Sequence, residues 1–424
     1  MERPLTQHIR PGKEPLEIKQ YEGAGGYASV RTAVKEMSPG DVIAAVKASN
    51  LRGRGGAGFP TGTKWADMPT LDDARRPRFL IADADEMEPG TFKDRFLLEG
   101  NPHQLIEGMI LAAFSAQTEV AYIFLRPGYA PPQRRLIKAM AEAYDRGYLG
   151  KNILGTDFNL EMHLHLSAGR YICGEGVAMI QSLEGKRAIP GPRAPRTSKF
   201  GLWGNPTLVN NVETLCNAPH IINHGAEWFK GLSRCKDGGT KIFSVSGKVN
   251  RPGAWELPMG TTLREVLEQH AGGMRDGVKF RGVLPGGAST DFLLEEHLDN
   301  PMDFDSLGAV GSRLGTAAMI VLDDRTCPVG MLLNLERFFA RESCGWCTPC
   351  REGIPWTVHI LEQIESGNGT PEDLDLLEAQ TKLLGPGRTF CALAPGAMEP
   401  LQSALKYFRD DFEQHIRMRR CPWR

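Results

Sequence analysis

Arg78-Phe79-Leu80-Ile81-Ala82-Asp83-Ala84-Asp85-Glu86-Met87-Glu88-Pro89-Gly90 begins as an apolar run and ends in four carboxylates and a turn. A short apolar run closed by such punctuation predicts a buried strand, placed at 78–82. Periodic segments follow it in alternation: a helix at 102–115, a strand at 121–126, a helix at 131–144 and a strand at 160–166. A further helix is expected to start just after Gly174, and another to cover 211–224. Strands separated by helices predict an α/β fold, a mainly parallel sheet with helices packed on its faces. In such folds ligands gather beyond the carboxyl ends of the strands, where Asp83, Asp85, Glu86 and Glu88 stand. Four acids there also suit a solvated turn or a metal site.

Upstream of this sheet, after a polar N-terminal arm, Ser38-Pro39-Gly40-Asp41 opens a helix over 39–49, with Ser38 as its cap. The loop Arg52-Gly53-Arg54-Gly55-Gly56-Ala57-Gly58-Phe59-Pro60-Thr61-Gly62-Thr63-Lys64-Trp65 comes next. Its glycines let backbone N–H groups crowd around a phosphate or a flat ring, and Lys64 adds a mobile positive charge. The loop follows a helix instead of a strand, so it is not the ordinary dinucleotide fingerprint, and a purely structural loop is the competing reading. Two other turns, Gly169-Arg170-Tyr171-Ile172-Cys173-Gly174-Glu175 and Val209-Asn210-Asn211-Val212-Glu213-Thr214, each end an extended run and open a helix. Their amides suit a heterocycle or a ribityl chain, and helix capping equally well.

Downstream, the pattern changes near Gly238-Gly239. Short β-runs at 241–245 and 317–322 flank a helix at 262–270, which predicts a small α+β domain. The remainder is helical, at 332–341, 355–364, 371–384 and 399–415, and predicts a four-helix bundle. The expected domains are therefore 1–237, 238–325 and 326–424.

The chain carries nine cysteines. Cys344-Gly345-Trp346-Cys347-Thr348-Pro349-Cys350 places three thiols between two helices, and Cys391 begins another connection in the same bundle. Three thiolates this close can occupy three corners of an iron–sulfur cube, with a distant fourth completing it. Structural zinc sites more often use two separated pairs, so the set points to a [4Fe–4S] cluster, with zinc the alternative. Cys173, Cys216, Cys235, Cys327 and Cys421 stand alone in the sequence. An odd number of cysteines without a signal peptide argues against a disulfide framework.

The 424 residues hold 50 Lys+Arg against 51 Asp+Glu, a formal net charge of −1 that gives no global attraction to nucleic acid. Apolar residues are 41% and charged residues 24%, the balance of a globular protein. The longest mostly apolar stretch, 105–116, is broken by Glu107 and is too short for a membrane span. Met1-Glu2-Arg3-Pro4 lacks the apolar core of a secretory signal, so a cytoplasmic location is expected.

Together these motifs resemble the flavin-bearing, NADH-oxidising subunit of bacterial respiratory complex I, a family shared with diaphorase subunits of soluble hydrogenases and formate dehydrogenases. The likeness runs from about Gly40 to about His415. It implies a Rossmann-like domain, a ubiquitin-like β-grasp domain that binds soluble ligands elsewhere, and a cluster-bearing bundle. By position, it assigns Gly53, Gly55, Gly56 and Lys64 to cradling FMN, with Asp85, Tyr171, Gly174, Val209, Asn210, Asn211 and Thr214 completing the pocket. Phe59, Glu86, Glu88 and Glu175 match residues near the nicotinamide end of NADH, Glu86 and Glu88 being the candidate catalytic pair. Cys344, Cys347, Cys350 and Cys391 match the cluster ligands.

The resemblance further implies other subunits of a complex I peripheral arm as partners, among them a thioredoxin-like [2Fe–2S] subunit and a multi-cluster subunit. It places the chain on the inner face of the cell membrane through that complex, with no span of its own.

Several positions depart from the family pattern. Asp83 replaces the usual Asn and sets a carboxylate beside the flavin. Gly176-Val177 follows Glu175 where Glu-Thr is usual, Arg126-Pro127-Gly128-Tyr129 replaces Arg-Gly-Glu-Tyr, and Ala194-Pro195-Arg196-Thr197 aligns with Pro-Pro-Phe-Pro. Gly176 and the basic residues Lys186, Arg187, Arg193, Arg196 and Lys199 lead to an expectation of weak discrimination against NADPH. The alternative to an NADH-oxidising enzyme is a relay subunit that keeps the cluster and has lost or altered dinucleotide turnover. The basic tail, Arg417, Arg419, Arg420 and Arg424, is either solvated or a partner contact.

Overall fold

The computed structural model describes residues 2–10, 12–69, 75–191 and 196–423. Arg193, Ala194, Pro195 and Arg424 of the sequence-based expectations lie outside the described residues.

Strands β1 (Phe79–Ala84), β2 (Val120–Leu125), β3 (Glu161–Leu166) and β4 (Thr207–Asn211) form an all-parallel sheet in the order β3-β2-β1-β4. As residues alternate across a strand, Leu80, Ala82 and Ala84 of β1 face one core with the helices Pro102–Ala116 and Val212–His224. Phe79 and Ile81 face a second core, shared with the helix Gly176–Leu183 and the C-terminal helices. The sheet is thus buried on both faces, which explains why β1 is apolar almost throughout. At Gly108 a Cβ would meet the Leu215 carbonyl oxygen at 2.1 Å, so that glycine sets how closely the helices Pro102–Ala116 and Val212–His224 pack.

The N-terminal arm is less polar in space than in sequence. Tyr21 and Tyr27 are buried on the first core, and Tyr21 and Ser29 donate to the buried Glu107 at 2.6 and 2.5 Å. Ser38 caps the helix Pro39–Ala48 as expected, accepting from the Asp41 amide.

The second region contains β5 (Thr240–Gly247), β6 (Gly253–Pro258), β7 (Phe280–Leu284) and β8 (Ala318–Asp323), in the order β6-β5-β8-β7. β5 and β8 are parallel and the outer pairs antiparallel, and the sheet has its own core around Phe243, Leu263 and Met319. The helix expected at 262–270 is wound as a π-helix over Glu265–His270.

The C-terminal region packs the helices Pro328–Glu342, Ile354–Glu365, Pro371–Leu383, Leu393–Tyr407 and Arg409–Met418. The last helix expected from sequence, 399–415, is two helices. The first starts earlier, at Leu393, and the chain breaks at Phe408, whose buried ring meets Phe292 edge-on at 5.2 Å and lies beneath Arg281. Apolar spacing continues across the break and by itself predicts an unbroken helix. Burial of Phe408 against the second region decides otherwise.

Candidate active site

A cavity of about 410 Å³ opens beyond the carboxyl ends of β1, β3 and β4. Gly55, Gly56 and Asn211 form one wall. Asp83, Asp85, Glu86 and Glu88 follow β1, and Tyr171, Gly174 and Glu175 come from the turn after β3. Cys391 and Leu393 close the side toward the helical region. The other expected residues surround the cavity without lining it. Thr214 accepts the Arg54 amide at 2.8 Å and Asn210 accepts Trp65 Nε1–H at 3.0 Å, so both hold the glycine loop in place. Gly53 donates to the Phe59 carbonyl at 2.9 Å, Val209 is buried in β4, and Phe59 is half exposed. Lys64 stands on the short helix Thr61–Ala66, where burial lowers its pKa and Asp83 opposes that shift.

The glycine wall can be read directly from space. A Cβ on Gly55 would lie 3.0 Å from Asn211 Cβ, and Gly56 has φ +127°, a conformation that side-chain-bearing residues rarely adopt. Asn211 is fixed in turn: its Nδ2 donates to Asp94 at 2.7 Å and its Oδ1 accepts from Lys93 at 3.1 Å. Burial works against the Lys93 ammonium, but Asp94, Glu213 and Glu86 outweigh it and hold its pKa above the ordinary lysine value. Lys93 and Asp94 begin the helix Lys93–Gly100, which sequence reasoning missed. No local cap marks its start. Glu86, seven residues upstream of Lys93, accepts the amides of Asp94 and Arg95 at 2.9 and 3.0 Å.

Burial and neighbouring carboxylates shape the acidic wall. Asp83 is pushed up to about 7 by burial and Asp85, and Glu86 to about 7 by burial and Asp94. Burial likewise raises Asp85 to about 6, against the opposing hydrogen bond from Ser167 at 2.8 Å. Asp85 Oδ2 is buried without a hydrogen-bond partner among the described residues, an acceptor left for a ligand N–H or O–H. Glu88 bridges two regions: Oε2 accepts the Tyr171 hydroxyl at 2.6 Å, while Oε1 accepts the Ser289 amide and hydroxyl at 2.7 and 2.8 Å.

Ser289, Arg313 and Thr316 of the second region also line the cavity. None was legible as a site residue, because nothing in their local sequence marks a ligand. Arg313 joins the regions by pairing with Glu399 at 2.8 Å while donating to the Ser289 carbonyl.

Cys344, Cys347 and Cys350 lie between the helices Pro328–Glu342 and Ile354–Glu365, and Cys391 just before Leu393–Tyr407. The thiols sense one another: burial, with Cys347, Cys391 and Cys344 nearby, pushes Cys350 up to about 12. Burial raises Cys391 to about 11, with Cys344, Glu175 and Cys347 adding to it. The cysteine segment is fastened to the cavity. Glu342 accepts the Tyr171 amide at 3.0 Å and Arg170 Nε at 3.1 Å, and Arg187 donates to the Cys344 carbonyl at 2.6 Å. Arg196, which stands where the family pattern has Phe, pairs with Asp67 at 2.9 Å.

Three segments of the chain match known families. Residues 46–220 match the Nuo51 FMN-binding domain, 242–292 the SLBB domain, and 330–415 the NADH-ubiquinone oxidoreductase-F iron-sulfur binding region. The F subunit of the Salmonella typhimurium NADH-quinone oxidoreductase is 54% identical, over 98% of this chain and 93% of that protein. Its Escherichia coli counterpart is also 54% identical over the same shares, and the F 2 subunit of the Rhizobium meliloti enzyme is 50% identical over 96% of each chain. In three dimensions the chain is similar to an NAD+-reducing [NiFe]-hydrogenase in its H2-reduced state, with TM-score 0.80 and 35% identity. That match covers 94% of this chain and 65% of the hydrogenase chain. The chain belongs to the family of NADH-quinone oxidoreductase F subunits.

Proposed function

We propose that this chain oxidises NADH by hydride transfer to FMN and passes the electrons singly to a [4Fe–4S] cluster, as the electron-input subunit of an NADH-quinone oxidoreductase. The observation that carries this reading is one cavity with Gly55 and Gly56 on one wall and Cys391 on another. The residues suit a flavin: a side chain at Gly55 would crowd Asn211, Gly56 holds a backbone conformation that favours glycine, and Asp85 Oδ2 is a buried acceptor with no partner among the described residues. When bound, FMN supplies two-electron hydride acceptance and the cluster one-electron transfer.

The chain's own part is placement. Gly55 and Gly56 allow a flat or anionic group to approach the backbone, and Lys93 and Asp94 hold Asn211 against it. Glu86 is held by the start of the helix Lys93–Gly100 and by the Tyr129 hydroxyl at 3.0 Å. Glu88 is held by Tyr171 and Ser289. In this reading Glu86, Glu88 and Glu175 orient the nicotinamide end, with Phe59 at the rim. Cys344, Cys347, Cys350 and Cys391 hold the cluster, and Glu342 keeps the cysteine segment against the flavin turn.

The relatives are subunits of a multi-subunit enzyme, and this chain works with other subunits. Trp346 and Phe390 are exposed beside the cysteine set, their rings 6.3 Å apart, an apolar surface suited to an electron-accepting neighbour. A thioredoxin-like [2Fe–2S] subunit and a multi-cluster subunit are the partners this reading assigns, with the chain peripheral on the inner face of the membrane. No helix among the described residues is long and apolar enough to cross a membrane.

The test is anaerobic addition of NADH, NADPH and then dithionite to the purified chain, following flavin bleaching and the cluster EPR signal. NADH bleaching the flavin supports the reading. Bleaching by dithionite alone would assign a relay role instead.

A further inference from the structure

Outside the cavity and the cysteine set, four metal-ligating side chains converge. Cys327 caps the helix Pro328–Glu342, Glu365 ends Ile354–Glu365, His415 stands on Arg409–Met418, and Cys421 follows in the tail. The ligating atoms of all four lie within 4.8 Å of one another. His415 is fully buried and Cys421 nearly so. Cys327 and Cys421, isolated in the sequence, are therefore neighbours in space.

Cys327 Sγ lies 3.4 Å from His415 Nε2 and 3.5 Å from Glu365 Oε2, and His415 Nε2 lies 3.1 Å from Glu365 Oε2. Zinc bonds of about 2.3 Å to sulfur and about 2.1 Å to nitrogen or oxygen imply tetrahedral ligand–ligand edges of about 3.4–3.8 Å. The observed separations come within a few tenths of an ångström of that frame.

The imidazole is also set for a metal. His415 Nδ1 lies 2.6 Å from the Asp411 carbonyl oxygen, a contact that requires Nδ1–H and leaves Nε2 as the nitrogen that faces Cys327 and Glu365 for a metal. The Gly330 amide donates to Cys327 Sγ at 3.2 Å, a bond that favours a thiolate. A surface cavity lined by Thr326, Met331 and Trp423 reaches Cys327 and provides an entry path.

We infer that Cys327, Glu365, His415 and Cys421 bind one zinc ion. Two sulfurs, one imidazole nitrogen and one carboxylate oxygen are a donor set that selects zinc over magnesium or calcium. Four protein ligands leave no open position, so the site is structural. Its effect is to fasten the C-terminal tail to the start of the helix Pro328–Glu342. Beyond Cys421, Trp423 lies 5.0 Å beneath the Arg281 guanidinium, and Arg281 pairs with Asp411, so the fastened tail also braces the second region.

The test uses the full chain with its flavin and cluster, analysed for metals and by zinc K-edge X-ray absorption. The expected result is about one zinc per chain beside about four irons, with two sulfurs at about 2.3 Å and two nitrogen or oxygen ligands at about 2.0–2.1 Å. Cys421→Ser and His415→Asn should each lower zinc about tenfold while iron, flavin and the cluster EPR signal persist. The absorption spectrum of the wild type decides the matter even if these variants fold poorly. The inference is overturned if protein from zinc-supplemented growth holds no zinc and takes none up. It is also overturned by a Cys327–Cys421 disulfide in the anaerobically purified protein, or by zinc that is lost only in Cys347→Ala.

Discussion

The Tyr171 hydroxyl donates to Glu88 at 2.6 Å, while the other carboxylate oxygen takes the backbone amide of Ser289 at 2.7 Å. One side chain thus joins the loop after β1, the turn after β3 and the second region around the cavity. Glu88→Ala should leave the Ser289 amide without its acceptor and take the carboxylate partner from the Tyr171 hydroxyl, at a cost of about 2–3 kcal/mol. Denaturant unfolding measures that loss. The KM for NADH is expected to rise more than kcat falls, since the contact positions a wall of the site.

Cys347→Ala should abolish the cluster EPR signal and lower iron content, while FMN stays bound. The glycine wall and Asn211 do not depend on that cysteine. Iron analysis and flavin fluorescence on the same sample separate the two outcomes. Iron unchanged in the variant would remove Cys347 from the ligand set.

Flavin retention should depend on backbone approach at the glycine wall. The double variant Gly55→Val, Gly56→Val is expected to purify without flavin, because a Cβ at Gly55 already sits 3.0 Å from Asn211. Lys64→Ala should weaken retention by about 1.5–3 kcal/mol, the worth of a charge-assisted contact to the flavin. Equilibrium dialysis of FMN reads both effects.

Asp83 gives the site a pH dependence. Its carboxyl is pushed up to about 7 by burial and Asp85, whereas an unfolded aspartate titrates near ~3.9. The folded chain therefore holds a proton that the unfolded chain releases, and the associated stability, full below pH ~4, is lost as pH rises through about 7. Asp83→Asn removes the charge. The variant should be more stable than wild type at pH 8, by on the order of 1–3 kcal/mol, and the difference should vanish near pH ~4. It should also retain FMN better at pH 8. Urea unfolding at the two pH values checks the sign.

Cofactor choice should turn on Gly176. A Cβ there meets nothing within 4 Å, so a carboxylate can be introduced without a clash. Wild type is expected to oxidise NADPH at a kcat/KM within about 100-fold of that for NADH, and Gly176→Glu with Arg196→Phe to widen the ratio about tenfold. Arg196 pairs with Asp67, so most of the change should come from Gly176→Glu, which the single variants will show.

Much of this molecule is written in short-range patterns. β1, the helix Pro102–Ala116 and β2 follow from apolar runs and the turns that punctuate them, the unusual loop at Gly53–Gly58 from its glycines, and the grouping of Cys344, Cys347 and Cys350 from their spacing. Those signals are local because secondary structure and multidentate loops impose their own repeats on the chain. The rest was decided by contacts between residues that share no repeat. Glu86 starts the helix Lys93–Gly100 from outside it, Phe408 breaks a helical pattern by burying its ring against Phe292, and Ser289 and Arg313 reach the cavity from another sheet. Cys327, Glu365, His415 and Cys421 meet for the same reason: helix packing brings together side chains whose separation along the chain has no period to reveal it.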